Sequence, residues 1–204
     1  MSLASYHYGS GDAAHTQSYL LPTVITLLER YLPNGGAIFE LGSGNGANAV
    51  VLEQMGYIVT GVDPSWQGLI HAEKTGVTLF QGSTEDDLVL RFGRFPVVLS
   101  LEVAEHVYSP ALYVQRIRDL LQPGGVAIVS TPYHSYLKNL ALAVSGKLDA
   151  HFTALWEGGH IKFWSRKTLR QLFQQAGLIE VSFARAGRIA PLAKSMIVAY
   201  HRPA

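Results

Sequence analysis

Phe39-Glu40-Leu41-Gly42-Ser43-Gly44-Asn45-Gly46 decides how the rest of the chain is read. An apolar run ends in glycines at alternate positions, the pattern of a strand turning sharply into a helix. Glycine there lets the backbone bend and lets a ligand approach with no side chain in the way. Gly42-x-Gly44-x-x-Ala47 also satisfies the loose dinucleotide fingerprint, so the loop alone points to a nucleotide of either kind. Asp63 ends the next apolar run, about 20 residues on, where a carboxylate can take both ribose hydroxyls. An ordinary turn would need neither the repeated glycines nor that acid.

Glu40 narrows the choice. A pyrophosphate lies over such a turn, and an anionic side chain two residues before the first glycine would repel it. A methionine-derived sulfonium with its ammonium group brings positive charge to the same place, and an acid suits it. A solvated charge at a strand end is the plainer reading of Glu40, and its position argues against that.

Outward from the loop, short apolar runs alternate with segments of helical period. Strands are predicted at Ala37–Leu41, Tyr57–Val62, Val77–Phe80, Pro96–Leu101 and Val126–Ser130, with helices at Ala47–Met55, Ser65–Thr75, Thr84–Arg91 and Pro110–Leu121. Gly56, Gly76 and Gly177 follow helical segments, and Pro110 suits a first helical turn after Ser109. Such alternation implies an α/β fold, a mostly parallel sheet covered on both faces. Before the first strand, Leu20, Leu21, Val24, Ile25, Leu28 and Tyr31 space out as one helix face, so residues 1–35 read as a helical cover. After the fifth strand, residues 133–164 form a long aromatic-rich excursion. Leu169, Leu172, Phe173 and Ala176 then resume the helical period, and strands at Glu180–Arg185 and Met196–Tyr200 close the chain. Neither a repeat nor a linker interrupts this, and residues 1–204 are expected to form one domain.

Bulk properties exclude several functions. The 204 residues suit one α/β domain, and 48% hydrophobic residues against 15% charged can fill its core. A net charge of +1 argues against a dedicated nucleic-acid binder. With no cysteine there is no disulfide, thiolate metal site or cysteine nucleophile. The segment Met1–His7 lacks a basic flank and an apolar run, and the apolar stretch Tyr136–Val144 is short of the ~20 residues of a spanning helix. A cytoplasmic protein is the expectation.

Four segments together resemble the class I S-adenosylmethionine-dependent methyltransferases. Glu40-Leu-Gly-Ser-Gly-Asn-Gly46 is similar to their first motif, and Gly61-Val-Asp63-Pro-Ser65 to their ribose-binding segment. Leu101-Glu102-Val-Ala-Glu105-His106-Val107 resembles the segment after their fourth strand. Leu120-Leu-Gln-Pro-Gly-Gly125 with Ile128-Val-Ser-Thr-Pro132 resembles their turn into the fifth. The Glu-x-x-Glu-His and Ser-Thr-Pro elements look most like the ubiquinone-biosynthesis O-methyltransferases. The resemblance implies a Rossmann-like seven-stranded sheet in the order 3-2-1-4-5-7-6 with one antiparallel strand. It implies S-adenosylmethionine as cofactor and S-adenosylhomocysteine as product. The cofactor residues carried over are Glu40, Gly42, Ser43, Gly44, Asn45, Gly46, Asp63, Pro64, Ser83, Thr84, Leu101 and Glu102. Two departures stand out. Many members have an aspartate where Ser83 stands, and no lysine or arginine precedes Arg30 to pair the methionine carboxylate, so Tyr8 is assigned that contact.

Methyl transfer asks the protein for positioning and exclusion of water, and a hydroxyl acceptor also needs a base. Of eight histidines, His106 and His160 are the catalytic candidates. Glu102, Glu105 and His106 share one face if their segment is helical, and could hold Mg²⁺ weakly or support a base. Glu-His pairs across members with different acceptors favour a bracing role instead, and no metal is assigned. His160, in Gly158-Gly159-His160-Ile161, lies where the excursion rejoins the core and should face the acceptor, or simply fix that loop. His134 and His151 are weaker candidates. The excursion itself reads as a lid over an apolar or aromatic small-molecule acceptor, with a self-packed subdomain, a dimer contact and a membrane-touching surface as rivals. The sequence thus predicts a small-molecule methyltransferase acting on oxygen. An RNA or protein methyltransferase, disfavoured by the charge and by Ser100-Leu-Glu-Val where an Asn-Pro-Pro-Tyr motif would stand, is one alternative. A non-catalytic cofactor-binding protein and an NAD oxidoreductase are the others.

Overall fold

A computed structural model describes residues 16–73, 76–152, 154–156, 158–189 and 192–204. Seven strands form one sheet: β1 (Gly36–Leu41), β2 (Tyr57–Asp63), β3 (Leu79–Gln81), β4 (Phe95–Leu101), β5 (Leu121–Pro132), β6 (Ile179–Ala186) and β7 (Ser195–His201). Their order is β3-β2-β1-β4-β5-β7-β6. The first five pair in parallel, and β7 runs antiparallel to both β5 and β6. The helices are α1 (Gln17–Tyr31), α2 (Ala47–Gln54), α3 (Trp66–Glu73), α4 (Leu88–Phe92), α5 (Pro110–Leu120), α6 (Tyr136–Val144), α7 (Leu148–Phe152) and α8 (Arg166–Gln175).

Alternation along the strands divides the core into two layers, because successive side chains point to opposite faces. Ile38, Val97, Leu99, Ile128 and Ile197 face a layer filled by Leu20, Val24 and Leu28 of α1 with Ala49 and Leu52 of α2. Phe39, Val98, Val129, Val198 and Tyr200 face the other, filled from α5 by Tyr113 and Ile117 and from α8 by Leu169 and Phe173. Phe173 stacks on Tyr200 with ring centres 3.9 Å apart. Burial on both faces explains why the strands read as continuous apolar runs.

Helix boundaries follow local hydrogen bonding. Ser165 and Thr168 form a reciprocal cap at the start of α8, and Ser135 accepts from the Lys138 amide to start α6. The expected helix over Thr84–Arg91 shrinks to Leu88–Phe92. Asp86 accepts from the Ser83 amide and Asp87 caps the Leu90 amide, so the residues ahead of α4 are held as a turn. Strand β5 is longer than predicted and begins directly after α5, where Arg202 donates to the Leu121 and Arg118 carbonyls. Residues 133–164 are not a bare loop; they contain α6 and α7. Among the described residues, no helix is long and apolar enough to cross a membrane.

Candidate active site

The sequence-predicted cofactor residues that are described gather at the carboxyl ends of the strands and in the turns that follow them. Glu40, Asp63 and Leu101 sit at the carboxyl ends of adjacent parallel strands, with Glu40 level with Gly61 and Asp63 level with Gln81. The order reverses between β1 and β4, and in open α/β sheets ligands bind outside the strand ends at such a reversal.

The glycine loop is held by backbone geometry. Gly42, Gly44 and Gly46 have φ of 82°, 56° and 78°, a region that residues with a Cβ avoid. A Cβ on Gly42 would stand 2.3 Å from Val103 Cγ2, so the loop also needs glycine for space. Asp63 pins it: one carboxylate oxygen accepts from the Gly44 amide and the other from the Ser65 amide, both at 2.8 Å. Each oxygen keeps a second lone pair, which leaves capacity for a ribose hydroxyl. Burial raises the Asp63 pKa, and these two backbone bonds oppose the rise. Ser43 is buried behind the loop, Asn45 accepts from the Ala47 amide, and Pro64 is exposed beside Gln81, which donates to its carbonyl.

Glu40 is 1% exposed. Its Oε1 accepts from Asn48, while Oε2 has no hydrogen-bond partner among the described residues. Burial raises its pKa to about 8. A buried carboxyl with an orphaned oxygen beside a glycine loop fits a cationic ligand group, as the ammonium of a methionine moiety would be. Ser83 and Thr84 lie in the turn after β3, where the Ser83 hydroxyl donates to Asp86. Asp86 was missed by sequence reasoning. It puts a carboxylate into the turn whose aspartate seemed to be lacking, three residues later than motif matching looks. Tyr8 lies outside the described residues.

The segment after β4 is a turn and not a helix, and this corrects the expected grouping of Glu102 with Glu105 and His106. Glu102 adopts φ of 55°, and its carboxylate is not part of the ligand set that Glu105 and His106 enter. Its carboxylate accepts from Ser130 at 2.8 Å and Ser195 at 3.1 Å, and Tyr19 of α1 lies 3.4 Å from the Ser195 hydroxyl. Burial raises the Glu102 pKa to about 7. Glu105 is fully enclosed, and burial with the nearby Glu102 charge pushes its pKa well up. Glu105 Oε2 accepts from Thr131, and Oε1 has no partner among the described residues.

His160 replaces Glu102 in the cluster. The returning segment docks on the β4–α5 turn: the Ile161 and Lys162 amides donate to the Glu105 carbonyl, and Trp164 Nε1 donates to the Ala104 carbonyl. This brings the His106 and His160 rings to 5.0 Å, with Trp156 against both. One ligand atom each from Glu105, His106 and His160 lies within 4.8 Å of the others, a set that could hold a divalent cation. His106 Nδ1 faces the Gly158 carbonyl at 2.9 Å. A carbonyl only accepts, so Nδ1 carries the proton and Nε2 the basic lone pair. Burial lowers the pKa of both rings, that of His160 to about 4, so both are neutral at pH 7.

Residues 133–164 form a groove beside this cluster. It is lined by Asp149, Phe152, Ala154, Leu155 and Trp156 and holds about 440 Å³. The outer face of α6 is apolar and open to solvent, with Tyr136 89%, Leu137 65%, Leu140 60% and Val144 82% exposed.

The methyltransferase-domain family matches residues 13–182. A ubiquinone biosynthesis O-methyltransferase of Dinoroseobacter shibae is 35% identical over 153 residues, which cover 71% of this chain and 60% of the relative. The chain thus spans less than two thirds of the length of that relative. Among solved structures, magnesium protoporphyrin IX methyltransferase from Synechocystis, with bound S-adenosylhomocysteine, superposes with a TM-score of 0.69. It is 18% identical, with 96% of this chain and 90% of that one covered. An S-adenosylmethionine-dependent methyltransferase from Mesorhizobium loti gives a TM-score of 0.67 at 16% identity, over 89% and 96% of the two chains. At such identities these two speak for the fold alone.

Proposed function

The chain belongs to the S-adenosylmethionine-dependent methyltransferases, and from that premise we propose that it methylates a hydroxyl oxygen of a small acceptor with an apolar or aromatic body. The observation that carries the reading is the pairing of His106 and His160 beside an open aromatic groove. A hydroxyl must lose its proton as it attacks the methyl carbon, and the neutral imidazole of His106, with its Nδ1–H tied to a backbone carbonyl, presents Nε2 as base. His160 lies against it and orients the acceptor. In this reading Glu40 takes the cofactor ammonium and Asp63 the ribose. Tyr8 is assigned the methionine carboxylate, and Ser83 with Thr84 the adenine. Glu102, through its backbone, lines the methionine arm. Residues 133–164 act as the lid of a single domain, with Trp156 excluding water from the reacting atoms.

Assay of S-adenosylhomocysteine release tests this, with phenols, aryl amines and short RNAs offered in parallel. Release with phenols alone is expected. Release with RNA alone would overturn the small-molecule reading, and release with amines alone would overturn the oxygen.

One observation favours a variant of the same chemistry. Glu105 Oε1 is orphaned within the Glu105–His106–His160 set, and a divalent cation would satisfy it. Such an ion lowers the pKa of a bound hydroxyl without a protein base. Activity abolished by chelation and restored by Mg²⁺ or Mn²⁺ would favour the cation. Activity indifferent to chelation would leave His106 as the base.

A further inference from the structure

A second histidine cluster lies beyond the first, on the far side of the groove. His134, at the end of β5, is 7% exposed, and neither of its ring nitrogens has a hydrogen-bond partner among the described residues. Its ring stacks on Phe152 at 6.1 Å and 16°, meets Phe163 edge-on at 5.2 Å and lies 5.6 Å from His151. His151 Nε2, buried here, also lacks a hydrogen-bond partner among the described residues. The Asn139 side chain lies against the His134 ring and favours its charged form.

A neutral imidazole always has one N–H donor and one acceptor, so leaving both unmade in a buried place is costly. Orphaned polar atoms gathered on aromatic walls need an explanation. Water is one answer and a ligand is the other.

Local charge says which ligand. Lys138 of α6 is buried against this cluster and donates to the Tyr133 and Lys194 carbonyls. Burial, and after it the Lys138 charge, depresses the pKa of both His134 and His151, and Arg188 further depresses that of His151. Arg185 stacks over Tyr133, and Lys194 over Tyr19, at the same end of the sheet. Among the acids nearby, Glu102 interacts with Lys138 and Asp149 lines the groove, while burial favours the neutral form of Glu105. Lys138 and Arg188 still bring positive charge to His134 and His151, and a neutral imidazole supplies an N–H donor.

We propose that His134 and His151, walled by Phe152 and Phe163 in the field of Lys138 and Arg188, bind an anionic group of the acceptor, a carboxylate or a phosphate. The reacting oxygen then lies at the His106–His160 pair, with Trp156 and Phe152 along the groove between the two positions.

The proposal rests on the methyltransferase reading but is tested apart from it. Protein saturated with S-adenosylhomocysteine is titrated with benzoate, benzamide and inorganic phosphate while the histidine ring ¹⁵N resonances are followed. Benzoate should shift those of His134 and His151, with benzamide binding at least tenfold more weakly because it lacks the charge. Shifts with phosphate and none with benzoate also support the site and identify phosphate as the group. Equal binding of benzamide and benzoate overturns the proposal, as does the absence of any shift at His134 and His151. His134→Phe keeps the aromatic packing and should weaken the anion at least tenfold. Arg188→Glu, on the surface, should weaken it severalfold without touching the fold. Both variants should keep their affinity for S-adenosylhomocysteine. If the phosphate or benzoate site holds while no phenol supports turnover, the anion site stands and the choice of oxygen as acceptor falls.

Discussion

The two ends of the candidate active site are built by different means. At the β1–β2 end the backbone does the shaping: glycines at positive φ, amides donating to Asp63, and strand ends set level by parallel pairing. Around residues 102–106 and 133–164, side chains do it, and several atoms have no hydrogen-bond partner among the described residues: Glu105 Oε1, both nitrogens of His134, and His151 Nε2. A backbone-built site is ready before its ligand arrives. A side-chain site with orphaned atoms is completed by what binds. The contrast predicts that variants at one end change binding of cofactor, while variants at the other change turnover.

The largest effect expected is on turnover at the side-chain end. His106→Ala should lower kcat by the ~10²–10⁴ typical of a lost general base, with affinity for S-adenosylhomocysteine nearly intact. His160→Ala should act in the same direction, and comparing the two by pre-steady-state methyl transfer assigns the proton. If His160→Ala shows the larger loss in kcat and His106→Ala mainly raises KM, their roles are exchanged. Loss of cofactor affinity in either variant would break the contrast itself.

Next comes the backbone end. Asp63→Ala removes the carboxylate that ties Gly44 to β2 and takes the ribose in the proposed site. Hydrogen bonds to charged groups are worth about 1.5–3 kcal/mol each, so affinity for S-adenosylhomocysteine should fall at least ~10-fold by calorimetry. Because the same group braces the loop, thermal stability should fall with it. Unchanged affinity would remove Asp63 from the cofactor site.

These two ends were not equally legible. Gly42, Gly44, Gly46 and Asp63 are readable because a backbone demand leaves few residues able to meet it. Strand order and the antiparallel β7 came from resemblance of four motifs and match the sheet, whereas apolar alternation alone gives only a doubly wound α/β fold. His106 and His160 were both singled out, yet their contact depends on the Glu105 carbonyl receiving the Ile161 and Lys162 amides, a tertiary event with no local signature. Glu102 was misgrouped for the same reason: helical spacing was assumed for a turn whose positive φ only the neighbouring Ser130 and Ser195 make sensible. Asp86 and the buried state of His134 were invisible because each depends on packing.

A smaller effect separates the ends by pH. The Glu40 carboxyl is raised by burial from 4.5 to about 8, so folding favours its neutral form. Stability from that preference is full below pH 4.5 and is lost as pH rises through 8. A cationic ligand group needs the ionised form. S-adenosylhomocysteine should therefore bind more tightly as pH rises from 6 to 8, by at most about tenfold per unit, with release of a proton. Glu40→Gln should flatten this profile. A profile that is already flat would mean that no ligand cation meets Glu40.

The smallest effect expected is in protection from hydrogen exchange, and it bears on how the side-chain end is completed. Strands β1, β4 and β5 are buried on both faces, whereas α7 has no buried residue and α6 buries only Lys138. Local opening free energies follow such differences in buried contact, so α6 and α7 should exchange far faster than the sheet in the free protein. Cofactor product alone should protect the glycine loop and leave α6 and α7 nearly unchanged. An anionic acceptor mimic should slow exchange in α7, because it ties His151 of that helix to His134. On α6, Tyr136, Leu137, Leu140 and Val144 form an apolar row open to solvent. Protection of α6 appearing only with anionic vesicles would make that row a membrane contact and shift the proposed acceptor toward a lipid. Equal, high protection of α6 and α7 in the free protein would make the segment a rigid wall, and the lid would have to be sought elsewhere. Protection of α7 by mimic with α6 unmoved would separate the two helices, one closing over substrate and the other facing outward.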